Sequence, residues 1–101
     1  MSSQRTRRPS LPGEILDALY LAPHEITITA FAEACGVSRK HMSDIVNGHV
    51  GITAEMAARI AAALGTTAQY WLNLQNAVDL YDAEHQLDES KARPRRMAAF
   101  A

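Results

Sequence analysis

Between Gly36 and Gly48 the chain reads Val37-Ser38-Arg39-Lys40-His41-Met42-Ser43-Asp44-Ile45-Val46-Asn47, a short stretch dense in side chains that donate hydrogen bonds. Arginine, lysine, serine and asparagine are the types that reach base edges and phosphate oxygens, and a helix presenting them outward is what the major groove of a duplex admits. The chemistry this implies is recognition, not bond-making. A catalytic reading needs a nucleophile, a base and an oxyanion site in one pocket, and no motif supplies that set. Cys35 lies six residues from His41, but the first is expected to face a core and the second to face outward. His24, His41, His49 and His85 lack close ligand spacing and there is no second cysteine, so no zinc site is expected. There is no phosphate-binding glycine loop and no heptad register long enough for a coiled coil. The expectation is a protein without cofactor, metal or enzymatic activity.

Those donors need elements to hold them. A helix that must stop and reverse within three residues wants a left-handed residue after its last turn, and Gly36 is placed to supply it. Ser38 offers an oxygen to the free amides of a second helix, which Gly48 ends. Phe31, Cys35, Val37, Met42 and Ile45 fall on the faces that two steeply crossing helices turn toward each other, and Ala32 lets their backbones approach. The pattern predicts a helix-turn-helix over about residues 28–47. An ordinary helical hairpin with a solvated polar face is the alternative, and the joint match of Ala32, Gly36 and the apolar set favours the helix-turn-helix. The residues assigned to DNA are Thr27, Thr29, Ser38, Arg39, Lys40, His41, Ser43 and Asn47.

A length of 101 residues suits one small domain with a single core. The composition is 48% hydrophobic but only 6% aromatic, and alanine is abundant, which favours closely packed helices over sheets. No apolar run approaches the roughly 20 residues that a bilayer span needs, so neither secretion nor membrane insertion is expected. The lone Cys35 reads as a structural thiol in a reducing, cytoplasmic setting. A net charge of -1 looks wrong for a DNA binder until the basic residues are placed. Arg5, Arg7 and Arg8 lie in an N-terminal arm, and Lys91, Arg93, Arg95 and Arg96 in a C-terminal tail. Arg39, Lys40 and Arg59 remain between, so positive charge in the middle of the chain gathers at the second helix of the motif.

Five helices are expected in all, and no strand. Pro12-Gly13-Glu14 opens the first, with Ile15, Leu16, Leu19 and Tyr20 as its stripe and Pro23 as its end. Thr27 caps the second and Ser38 the third. Thr53 caps a fourth from Ala54 to Leu64, stopped by Gly65. Thr66 or Thr67 caps a fifth from Ala68 to about Tyr81 or a few residues beyond. Its load of Tyr70, Trp71, Leu72, Leu74, Val78, Leu80 and Tyr81 exceeds one stripe, and a surplus apolar face on a small domain predicts a second copy of the chain. Trp71, Leu74, Val78 and Tyr81 are the expected dimer contacts. The organisation reads as a flexible basic arm over 1–10, a helix-turn-helix domain over 11–84 with its dimerisation helix at about 68–83, and a flexible basic tail over 85–101.

Several ordered blocks carry a more specific resemblance. They are Pro12-Gly13-Glu14-Ile15-Leu16, Gly36-Val37-Ser38-Arg39 with Ser43, Asn47-Gly48, Gly51-Ile52-Thr53-Ala54-Glu55-Met56-Ala57, Arg59-Ile60-Ala61 and Ala63-Leu64-Gly65-Thr66-Thr67. Tyr70-Trp71-Leu72-Asn73-Leu74-Gln75, followed by Ala77, Asp79 and Leu80, is the most discriminating. The chain resembles the HigA-type antitoxins, the VapI-like branch of the lambda-repressor-like (XRE) regulators, over Pro12 to about Ala83. The resemblance implies a five-helix bacterial protein that dimerises, binds a palindromic operator in its own promoter, and neutralises a small basic ribonuclease toxin of the HigB/RelE-like, ribosome-dependent kind. It places the protein in the cytoplasm, on the nucleoid when DNA-bound. Stand-alone regulators with no toxin partner also occur in the wider family. Lys40-His41 and His49-Val50 depart from the family pattern and would set the operator sequence.

Overall fold

The computed structural model describes residues 7–101, and every regular element among them is helical. Helix α1 spans Pro12–Leu16, α2 Ile28–Cys35, α3 Arg39–Val46, α4 Ala54–Leu64 and α5 Ala68–Glu89. Four of the five begin on a hydroxyl that takes an amide the helix cannot satisfy itself. Thr27 accepts from Ala30, Ser38 from His41, Thr53 from Met56 and Thr67 from Tyr70, at 3.0–3.2 Å. At α1 the Glu14 carboxylate instead reaches back to the Leu11 amide at 2.9 Å. Thr67 is thus the cap of α5, and Thr66 has another duty. No helix among the described residues is long and apolar enough to cross a membrane.

The core forms where α1, α2, α3, α4 and α5 meet. Leu16, Met42, Ile60 and Trp71 are fully buried there, together with Phe31, Ile45 and Ala57. Burying each aliphatic side chain contributes on the order of 1.5 to 3 kcal/mol. Trp71 occupies the centre. Its ring packs against Tyr20 and, edge to face, against Tyr70, with centroids 5.5 and 5.0 Å away. The indole Nε1 donates to Thr66 Oγ1 at 2.8 Å, so the largest buried side chain leaves no polar atom unsatisfied. Close approach also shapes the α1–α3 contact, where Gly13 lies against the last turn of α3. A Cβ on Gly13 would fall on the Ile45 carbonyl oxygen.

Two expectations about helix ends are corrected. The first helix does not end at Pro23. After α1 the chain passes through a π turn at Asp17–Leu21 and a 3-10 turn at Ala22–His24, and Pro23 sits in the first turn of the latter, where its missing N–H costs nothing. The stop is Glu25, held at φ 56° with its amide bonded to the Ala22 carbonyl. At the other end, α5 continues to Glu89, so residues 85–89 are helix and not tail. Nothing in Glu84-His85-Gln86-Leu87-Asp88-Glu89 breaks a helix, and these are mostly good helix formers. The end of an apolar stripe is not a stop signal. His85 also stacks on Tyr81, with centroids 4.0 Å apart, and its Nδ1 is 3.0 Å from the Tyr81 carbonyl oxygen.

The N-terminal arm is likewise not all free. Arg8 forms a bidentate pair with Asp82 of α5, Nε to Oδ1 at 3.0 Å and Nη2 to Oδ2 at 2.8 Å. Arg5 lies outside the described residues.

Candidate nucleic-acid interface

Helices α2 and α3 are joined by Gly36 and two residues, with Gly36 at φ 74° closing α2 by donating to the Ala32 and Glu33 carbonyls. The turn is held from outside. Arg59 of α4 donates from Nη1 to the Cys35 carbonyl at 2.9 Å and from Nε to Glu55 Oε2 at 3.1 Å. A cation thereby meets the negative end of α2. The sequence marks Arg59 as one of the few central cations and as part of the Arg59-Ile60-Ala61 block, and carries no signal for its contact with α2. Burial and the field of its neighbours act oppositely on the Cys35 thiol: burial dominates and pushes its pKa up, while the Arg59 charge lowers it. Cys35 is thus the structural thiol expected.

Met42 and Ile45 anchor α3 to the core. Helical periodicity then turns Lys40 and Asn47 directly away from it, with Arg39 and Ser43 on the side nearer α2 and His41 and Asp44 on the other. Arg39, Lys40, His41 and Asn47 are exposed, and Ser43 and Asp44 are half-buried. The Arg39 guanidinium is held at the junction of the two helices, its Nε donating to Thr29 Oγ1 at 3.1 Å. Asn47 Nδ2 donates to Ser43 Oγ at 3.2 Å. The surface therefore carries guanidinium, ammonium, imidazole, hydroxyl and amide groups side by side. Thr27 and Ser38 stand at the N-termini of α2 and α3 with their oxygens engaged as caps.

Asp44 is the acid in this surface. Lys40 Nζ lies 2.9 Å from its Oδ2, and His49 Nδ1 lies 3.6 Å from its Oδ1. The hydrogen bond from Lys40 comes first, and with the contribution of His49 it holds the Asp44 carboxyl below the usual carboxylate range. Lys40 is consequently not a free cation but half of an exposed i,i+4 pair, which water and phosphate can exchange readily.

Behind α3 the loop to α4 is anchored by α5. Gln75 Oε1 accepts from the Ile52 amide at 2.8 Å, and Gln75 Nε2 donates to Asp79 Oδ1 at 3.0 Å. This contact was invisible in the sequence, where Gln75 stood only as part of a conspicuous block. A small cleft of about 150 Å³ lies between the arm, this loop and α5, bordered by Arg8, Leu11, His49, Gln75, Asp79 and Asp82.

Two of the four expected dimer contacts need correction. Trp71 and Val78 are 0% and 2% exposed within the single chain, so they serve the chain's own core and have no surface to offer a partner. Leu74 and Tyr81 are half-buried. The large apolar side chains that α5 leaves in solvent are Leu80 and Leu87, at 62% and 46% exposure. They align with the exposed Asn76 and Ala83 at alternating spacings of four and three. A surplus on α5 exists, but on a different face.

Among the described residues, no three His, Cys, Asp or Glu side chains are grouped so as to hold a metal ion. Comparison with known proteins places this geometry in context. A family model described as helix-turn-helix matches residues 18–71. The chain is 48% identical over 83 residues to Antitoxin HigA-1 of Vibrio cholerae serotype O1, covering 82% of this chain and 78% of that protein. It is 43% identical over 84 residues to the uncharacterized HTH-type transcriptional regulator YbaQ of Escherichia coli K12, covering 83% and 74%. Among solved structures, antitoxin GraA in complex with its operator superposes with a TM-score of 0.82 at 34% identity, covering 96% of this chain and all of that one.

Proposed function

Because the chain belongs to the helix-turn-helix regulators, and within them to the HigA-type antitoxins, we propose that it is a sequence-specific DNA-binding repressor that controls its own operon and neutralises a HigB/RelE-like ribonuclease toxin. The observation that carries DNA binding is the outward face of α3, where Lys40, Ser43 and Asn47 stand beside an Arg39 held by Thr29. Thr27, Thr29, Ser38 and His41 complete the surface that we assign to the duplex. Residues in the first turns of α2 and α3 reach phosphates and base edges, and the face of α3 lies along the major groove. The GraA structure holds that relative's operator, which supports the same docking here.

A palindromic operator asks for a two-fold protein. We assign the homodimer contact to the outer stripe of α5, Leu80, Ala83 and Leu87; the half-buried Leu74 and Tyr81 lie on another side of the helix, nearer Trp71 and Val78. The reading is of a cytoplasmic, non-enzymatic protein whose partners are duplex DNA, a second copy and a small basic toxin. Its organisation is a short basic arm, one helical domain extending to the end of α5, and a basic tail from residue 90 onward.

The test is selection from a randomised duplex pool followed by titration of the selected site against random duplex at fixed salt, since salt sets much of the affinity. Preference for the selected site by at least a hundredfold is expected, and equal affinity for both overturns the repressor reading. Antitoxin activity is tested separately, by co-expressing the small basic protein encoded beside the gene and measuring growth and complex formation. A neighbour that is harmless, or that this chain neither binds nor silences, leaves a stand-alone regulator. The likeness to YbaQ, named only as a regulator, favours that second reading.

A further inference from the structure

The segment joining α3 to α4 has glycine at 48 and 51 and so little stiffness of its own. Near α3 it is tied by Gly48, His49 and Val50, whose amides bond to the Ile45 and Asp44 carbonyls. Farther on, the Ile52 side chain is buried in the core. Burial holds a residue in place but does not fix its backbone orientation, whereas a hydrogen bond is directional. The group that orients the Ile52 amide is the Gln75 carboxamide of α5, itself held by Asp79. Gly51 completes the fit: a Cβ there would lie 3.2–3.3 Å from the Oε1, Nε2 and Cδ atoms of Gln75.

We infer that Gln75 is a positioning residue for DNA reading, which fixes the angle of α3 relative to α5 through the loop behind α3. The inference rests on the proposed function, because its consequence appears when two copies bind one operator. If α5 joins the copies, each recognition helix is registered to the dimer axis through Gln75 and the Ile52 amide. The spacing that the dimer tolerates between half-sites is then set by a side chain that touches no DNA. Loosening it leaves phosphate binding intact and weakens discrimination of spacing.

The experiment uses full-length protein and the duplex that the wild type selects from a randomised pool. Versions of that duplex with one base pair inserted or removed between the half-sites, and a random duplex, complete the set. Gln75→Met keeps the bulk and removes the bonds. Its affinity for the selected site should fall roughly fivefold, the usual worth of such a bond, while random-duplex affinity stays within about twofold and the penalty for altered spacing shrinks. Hydrogen exchange at the Ile52 amide should accelerate. Gln75→Glu combined with Asp79→Asn, which restores an acceptor for Ile52 and a donor beside it, should recover the spacing penalty. If Gln75→Met does not fold, Gly51→Ala keeps Gln75 but sets a methyl against its carboxamide and gives the same readout. An unchanged spacing penalty in the folded variant, or no recovery in the double variant, overturns the inference alone. A wild type that selects no site overturns the proposed function and this inference with it.

Discussion

The guanidinium of Arg59 bonds the carbonyl of Cys35 at 2.9 Å across the gap between α4 and α2. The last carbonyls of a helix have no partner within it, and here a fourth helix supplies one at the turn that sets the angle of the third. The same guanidinium lies where a side chain on Gly36 would have to go. Turn geometry and helix packing are therefore one arrangement.

Removing that bond should loosen the motif before it melts the domain. Arg59→Leu keeps an aliphatic stem and leaves the Cys35 carbonyl without its donor. We expect a loss of about 1 to 2 kcal/mol, below the full worth of a charged hydrogen bond because the side chain is 41% exposed. Urea denaturation measures it, and a variant as stable as the wild type would mean that water replaces the guanidinium at no cost.

Core and dimer roles on α5 separate cleanly by mutation. Trp71→Ala should cost about 3 to 5 kcal/mol, a large part of the 5 to 15 kcal/mol that holds such a domain together, and should abolish cooperative unfolding. Leu80→Glu with Leu87→Glu alters only exposed positions, so it should leave the melting curve of the monomer near that of the wild type and shift sedimentation from dimer to monomer. A folded, monomeric Trp71→Ala protein would reverse the assignment. An unchanged dimer in the double variant would move the interface elsewhere.

The acid side chains give a pH dependence with a definite sign. Asp44 and Asp82 are both held below the ordinary carboxylate value, Asp44 chiefly by its hydrogen bond from Lys40 and Asp82 chiefly by that from Arg8. A depressed carboxyl contributes stability above its unfolded value, and that contribution disappears as pH falls through the folded one. Stability should therefore be flat in this respect near neutrality and decline in the acid range below the usual aspartate value. Carbon-detected titration of the two carboxyls follows it directly. Asp44→Asn also frees Lys40, and should strengthen binding to selected and random duplexes alike. Tighter binding to the selected site only would make Asp44 a reader of bases.

The sequence made the helix-turn-helix legible because its signals are local. Gly36, the caps Thr27, Ser38 and Thr53, and the 3.6-residue recurrence of Met42 with Ile45 each act within one or two turns, and the structure places all of them as expected. What was not legible is long-range. Arg59 meets Cys35 across 24 residues, Gln75 meets Ile52 across 23, and Arg8 meets Asp82 across 74. Trp71 illustrates the same limit from the other side. A helix apolar on more than one face announces a surplus, but only packing decides which of its faces the domain keeps.

The last prediction concerns Arg39, whose Nε is already committed to Thr29 while its two terminal nitrogens remain to meet a duplex. Such a tether fixes the direction of the fork, and a pre-oriented guanidinium loses less freedom on pairing with a guanine edge than a free one does. If Arg39 reads a base, Arg39→Ala should cost about 1 to 3 kcal/mol in each half-site and relax the preference at one symmetric pair of operator positions. Thr29→Val should then give a smaller loss at the same positions, because it unties the arginine without removing it. If Arg39 instead holds a phosphate, both variants weaken every duplex equally and lower the salt dependence of binding. Titration of the two variants against the selected site, its single-position variants and random duplex distinguishes these outcomes. Unchanged affinity for the selected site in Arg39→Ala would remove the first turn of α3 from the interface.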